Sequence, residues 1–185
     1  LSLRRHLRPP GLMSLVEVLC GPSSAEQTIT SAVKFVRSLR KMAVAMNDGA
    51  GFVVNRLLGA MLDQSFRLLS QGSTVDEIDT AMRDFGFRGG PFEIIDVIGA
   101  DTCLFAGRTM WEAGLRCVTL SPILPRMVKL GRLGRKSGVG FYRYPSADGE
   151  RQEDQELPAI IGPYVAKSEG KNSDDNSDPS IEAVP

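Results

Sequence analysis

The chain has 185 residues, 42% of them apolar and 24% charged. That is enough for one domain, or one domain and a tail, around a sizeable core, and too short for a complete two-domain enzyme of ordinary size. The mixture is neither disordered nor fibrous, and 22 basic against 22 acidic side chains leave no net charge to attract a polyanion.

In chain order, Leu15-Val16-Glu17-Val18-Leu19 reads as an extended apolar segment with one carboxylate in it. Ser24 and Gln27 form a capping box, and Ile29, Ala32, Val33, Val36 and Leu39 recur at helical spacing, which predicts a helix over 25–40. Lys41 to Met46 reads as a short connector strand. A helix over 52–69 follows, its apolar face made by Val54, Leu57, Leu58, Met61, Leu62, Phe66 and Leu69, with Gly72 as its C-terminal cap. Thr74 and Glu77 form a second capping box before a short helix stopped by Gly86. Pro91 suits the first turn of the next helix. Further helical patterns run over 102–113 and from Ser121-Pro122 to Gly131, and the glycine-rich run from Gly131 to Tyr144 reads as a tight turn followed by an aromatic strand or hook.

No repeated strand–helix alternation of the kind a parallel sheet requires is visible, so the expectation is a predominantly α domain. From Asp148 onward ten acids face three bases, and 168–185 is too polar to offset its ordering entropy, so it is expected to be a disordered acidic tail. Apolar residues in 150–167 at near-helical spacing suggest an extra helix. No apolar run approaches the roughly 18–20 residues of a membrane helix, and the Arg-rich start lacks the apolar core of a secretory signal. Cys20, Cys103 and Cys117 are odd in number and widely spaced, which indicates neither a disulfide framework nor a zinc site and fits a cytoplasmic setting.

Three constellations could carry chemistry. Asp48-Gly49-Ala50-Gly51-Phe52-Val53-Val54-Asn55 sits between a strand and a helix, where backbone N–H groups cradle phosphate, but it lacks a third glycine and reads more simply as a helix-entry turn. Lys129, Arg132, Arg135, Lys136 and Arg143 among four glycines could meet an anionic group, against the simpler reading of a solvated surface. His6, Glu17 and Asn55 hold the parts for acid–base work: a base that titrates near neutrality, a carboxylate to fix its tautomer, and an amide to hold an oxygen.

Four blocks, Leu12-Met13-Ser14-Leu15-Val16-Glu17-Val18, Asn47 to Leu58, Gly89-Gly90-Pro91-Phe92-Glu93 and Gly131 to Tyr142, occur in the order found in the C-terminal domain of 3-hydroxyacyl-CoA dehydrogenases. The chain resembles that family over about 12–145, most closely the dehydrogenase part of multifunctional fatty-acid oxidation enzymes. The resemblance implies an all-α domain of the 6-phosphogluconate-dehydrogenase-like type, without the Rossmann half that binds NAD. It divides the chain into 1–11 outside the family, 12–145 as the family domain, 146–167 as a possible extra helix and 168–185 as the tail.

What the resemblance implies for function is β-oxidation chemistry, the NAD-dependent conversion of a 3-hydroxyacyl-CoA to the 3-ketoacyl-CoA, by a chain inactive alone because the NAD-binding domain is absent from it. Its expected partners are the acyl-CoA substrate and either a second copy in a homodimer or a separate NAD-binding half, with no nucleic acid and no membrane. Glu17 matches the family's orienting glutamate and Asn55 its oxygen-holding asparagine. The histidine register falls on Arg5, one position before His6: either a one-residue deletion keeps His6 in role, or 1–11 are not family sequence. The alternative function is a non-catalytic dimerisation or acyl-CoA-binding module.

Overall fold

A computed structural model describes residues 2–4, 14–115, 121–146 and 149–165, the first stretch by its backbone alone. His6, Arg5, Cys117 and the expected tail 168–185 lie outside the described residues.

The all-α expectation is corrected at the N-terminal end. Strand β1 (Ser2–Arg4) pairs antiparallel with β2 (Leu15–Cys20), and β2 pairs parallel with β3 (Met42–Asn47), Glu17 lying opposite Val44 and Arg4. Helix α1 (Glu26–Ser38) is the crossover that a parallel pair requires. The sequence contains this single strand–helix–strand alternation, but one unit gives no repeat from which a sheet could be read. Its core is small: Val16, Val18 and Val36, with Ala32, Val33 and Ala43 packed against them. Ser24 does not cap α1, because its hydroxyl accepts a hydrogen bond from Gly21 N at 3.0 Å and closes the preceding turn.

The remainder is helical: α2 (Val54–Ser70), α3 (Val75–Phe85), α4 (Pro91–Ile98), α5 (Ala100–Glu112), α6 (Ile123–Lys129) and the short α7 (Leu157–Ile161). Each boundary has a local cause. Consecutive positive φ angles at Gly51 (74°) and Phe52 (46°) delay α2 to Val54. Thr74 and Glu77 form the predicted capping box on α3, and Gly86 ends that helix in the left-handed conformation. Pro91 occupies the first turn of α4.

One core unites the helices with the aromatic hook and α7: Phe66, Phe92, Ile95, Met127, Phe141 and Leu157 are among its buried members. Two buried carboxylates pin it. Asp79 of α3 accepts from Phe92 N and Glu93 N at the start of α4 and from the Tyr142 hydroxyl. Asp96 of α4 accepts from Phe141 N, Tyr142 N and the Tyr144 hydroxyl. Gly140 is required where the hook meets Asp96, since a Cβ there would overlap that carboxylate. The hook is thus a packed element cross-linked to α4.

Candidate active site

Glu17 lies in the middle of β2, fully buried among valines. A buried carboxylate requires donors. Two are backbone groups from the start of the helical region: Val53 N and Val54 N donate to Glu17 Oε1 at 2.9 and 3.0 Å. These N–H groups belong to the first turn of α2, where no earlier carbonyl can receive them and where the helix dipole favours a negative charge. Glu17 therefore fastens the strand unit to the helical body.

Asn55 is the next residue along α2. It is among the residues lining a cavity of about 140 Å³ between α2, α5 and the start of α6, whose walls include Leu58, Leu62, Phe66, Met110 and Leu124. The structure brings Glu17 and Asn55 to one helix start, and His6, the third candidate, lies outside the described residues. Sequence reasoning missed Met110. Its side chain is buried and lies against Gly51, so closely that a Cβ there would overlap the methionine sulfur. Only helical spacing on α5 signals Met110, and that does not distinguish a site wall from an ordinary core residue.

The same geometry decides the two alternative anion sites. In the 48–55 turn, the carboxylate of Glu17 takes the helix-start N–H groups that a phosphate would need. In the glycine-rich run, Arg132 is buried on Asp154 and the Gly140 carbonyl, and Arg143 pairs with Asp154 at 2.6 Å. The Arg135 guanidinium lies over the Tyr144 ring, and Lys136 pairs with Asp101. Four of the five basic residues thus have internal partners, and Lys129 is exposed. Among the described residues no helix is long and apolar enough to cross a membrane.

Two family models match the chain: "3-hydroxyacyl-CoA dehydrogenase, C-terminal domain" over 51–144, and "3-hydroxyacyl-CoA dehydrogenase, NAD binding domain" over 5–49. The second overturns both the expectation that the Rossmann half is missing outright and the statement that the NAD-binding domain is absent. Residues 5–49 match it, and β2, α1 and β3 are a strand–helix–strand unit of its type. The described residues do not, however, fit the dinucleotide itself. The β2-to-α1 turn holds Gly21 followed by Pro22, with no glycine fingerprint to admit a pyrophosphate.

The chain is 30% identical over 157 residues to the fatty acid oxidation complex subunit alpha of Shewanella oneidensis, covering 85% of this chain and 22% of that protein. It thus spans about a fifth of the length of this curated relative. Among solved structures it is similar to the (S)-3-hydroxybutyryl-CoA dehydrogenase PaaH1 from Ralstonia eutropha, with TM-score 0.69 and 30% identity over 74% of this chain and 49% of that one. It is also similar to the dehydrogenase part of multifunctional enzyme 1 from C. elegans, with TM-score 0.63 and 33% identity over 88% of this chain and 36% of that one. The family is one of NAD-dependent oxidoreductases, and the resemblance seen in the four sequence blocks holds. With both family models met in order and their junction falling where Glu17 grips the start of α2, this chain belongs to the 3-hydroxyacyl-CoA dehydrogenase family.

Proposed function

We propose that the chain is the substrate-binding part of an enzyme that oxidises a 3-hydroxyacyl-CoA to the 3-ketoacyl-CoA in fatty-acid β-oxidation. The observation that carries this reading is the convergence of Glu17 from the strand unit and Asn55 from α2 at one helix start beside an apolar cavity. Oxidation of a secondary alcohol needs a base for the hydroxyl proton and a donor for the oxygen on which charge develops. Asn55 supplies the donor through its amide, and the base is His6 if a one-residue deletion keeps it in the family's histidine register, or a residue from outside 1–11 if that segment is not family sequence. Glu17 is a positioning residue that holds the turn carrying Asn55. NAD, which the described residues do not themselves fit, would supply the acceptor for hydride when held by the family's NAD-binding domain.

The neighbour that the open apolar face supports is the rest of an NAD-binding domain. Parallel sheets are covered on both faces, yet Met42 of β3 is 64% exposed, and Phe35 of α1 and Leu39 beside it are also open. These apolar side chains suit a surface that a neighbouring sheet or domain covers.

The test is NADH oxidation with a short 3-ketoacyl-CoA, by the chain alone and with an added NAD-binding half. Turnover is expected only in the second case. In that complex Asn55→Ala is expected to lower kcat by about 100-fold or more, and an unchanged kcat would remove Asn55 from the site.

A further inference from the structure

The turn that leads into α2 is held in a conformation it would not keep unaided. It carries two consecutive left-handed residues, Gly51 at φ 74° and Phe52 at φ 46°. Glycine takes that region freely, but for a phenylalanine it is an outlier that persists only where the surroundings impose it. Contacts at both ends and in the middle impose it here. Asp48 N donates to the Cys20 carbonyl at 3.2 Å and ties the start of the turn to the end of β2. Glu17 takes the N–H groups of Val53 and Val54 at the other end, and Met110 backs Gly51. In the middle, Arg56 Nε donates to the Ala50 carbonyl at 2.9 Å, so the side chain folds back from α2 over the turn that precedes the helix. Its path accounts for two small residues: a Cβ at Gly49 would lie 3.0 Å from Arg56 Nη2, and one at Gly51 would lie 3.3 Å from Arg56 Cγ.

We propose that Arg56 is a positioning residue for the oxidation: its guanidinium straps the turn in the left-handed conformation and so fixes Asn55, its neighbour on α2, against the reacting oxygen. This role rests on the reading of Asn55 as the donor to that oxygen. Arg56 acts through Asn55 and touches no substrate. Without the strap Phe52 relaxes to a negative φ and the start of α2 shifts with it, and a displacement of about 1 Å at a reacting group costs up to about 100-fold in rate.

The test uses the full chain with an added NAD-binding half, read by NADH oxidation with a short 3-ketoacyl-CoA, and the chain alone, read by melting and by amide exchange. Arg56→Ala should lower kcat by about 10- to 100-fold and leave KM little changed. Its melting temperature should hardly move, since Arg56 is exposed. Methylguanidinium in the buffer should restore part of the lost kcat, which it would not do for a folding defect. Arg56→Lys should resemble Arg56→Ala, because an ammonium is a point charge without the planar Nε donor. Gly49→Ala, whose Cβ crowds the guanidinium, should lower kcat less, and combined with Arg56→Ala it should add nothing, since both act on one strap. In the chain alone Arg56→Ala should speed exchange at Val53 and Val54 and shift the Asn55 side-chain amide resonance.

An unchanged kcat in a complex that turns over overturns the proposal and leaves the dehydrogenase reading intact. A raised KM at constant kcat in Arg56→Ala, absent from Arg56→Lys, also overturns it, because that would give the guanidinium to an anionic group of the substrate. If the complex does not turn over, the dehydrogenase reading falls and the chain alone decides the strap. Unchanged exchange at Val53 and Val54 with an unmoved Asn55 resonance then overturns it too, whereas faster exchange and a shifted resonance keep Arg56 as the group that fixes Asn55.

Discussion

The two regions of this molecule are built on different principles. The strand–helix–strand unit has three buried apolar side chains at its centre, Val16, Val18 and Val36, and leaves Phe35, Leu39 and Met42 open. Among the described residues the helical body gathers fifteen buried residues into one core and adds two buried carboxylates that tie the aromatic hook to α3 and α4. The body is packed around the larger core and the unit around the smaller, and Glu17 is a place where the two touch. The region with the larger core thus carries Asn55 and the cavity, and the region with the smaller core carries the carboxylate bonded to the start of α2.

The comparison breaks first at the centre of the body. Phe92→Ala removes a ring packed between Phe66 and Phe141 and should cost about 3–5 kcal/mol in urea unfolding. By contrast, Val18→Ala in the unit should cost about 2 kcal/mol. It should raise amide exchange in β2 and β3 while leaving α4 protected, because weak regions open locally. If both variants unfold the whole chain together, the two regions are one cooperative block.

Asp96→Asn probes the carboxylate pins. An amide offers one acceptor oxygen where Phe141 N, Tyr142 N and the Tyr144 hydroxyl all donate, and the change should cost about 2–3 kcal/mol. Burial raises Asp96 from 3.8 to about 6, against the lowering effect of those three donors. A carboxyl raised on folding binds its proton more tightly in the native state, so its contribution grows as pH falls through 6 toward 4. Thermal melts from pH 7 to pH 4.5 should show this stabilising trend in the wild type relative to Asp96→Asn; parallel curves would show that Asp96 does not titrate there.

Glu17→Ala tests the junction. Two helix-start N–H groups lose a charged acceptor inside a buried site, and the expected loss is about 2 kcal/mol, with exchange rising in both β2 and the first turn of α2. An effect confined to β2 would show that the junction does not couple the regions. Thr74→Ala, at the capping box of α3, should cost about 1 kcal/mol. Smallest of all, Lys136→Ala at the exposed pair with Asp101 should cost less than about 1 kcal/mol and fade in salt.

Most of the helical body was legible in the sequence because its signals are local. Apolar spacing marks α2, the Thr74 and Glu77 pair marks the start of α3, Gly86 its end, and Pro91 the first turn of α4. The four motif blocks likewise identified the family, and Glu17 and Asn55 were singled out from residue type and motif. What remained hidden depends on partners distant in the chain. Both strands are legible as extended segments, but the parallel pairing of Leu15–Cys20 with Met42–Asn47 is a contact across a helix that no short window contains, so the sequence implies an all-α fold class. Ser24 has the composition of a cap but is used in a turn, because its hydroxyl can make either bond and the chain's path chooses.

The sequence by itself determined that the helices exist, where α3 and α4 begin, and which family the chain belongs to, since capping, spacing and motif order act over a few residues. Only the tertiary structure decided that Glu17 bonds the start of α2, that Asp79 and Asp96 pin the hook, that Arg132 is a buried cross-link, and that Met110 stands between the cavity and Gly51. Burial and hydrogen-bond geometry give a charged or flexible side chain its role, and they exist only once residues far apart in sequence have been packed together.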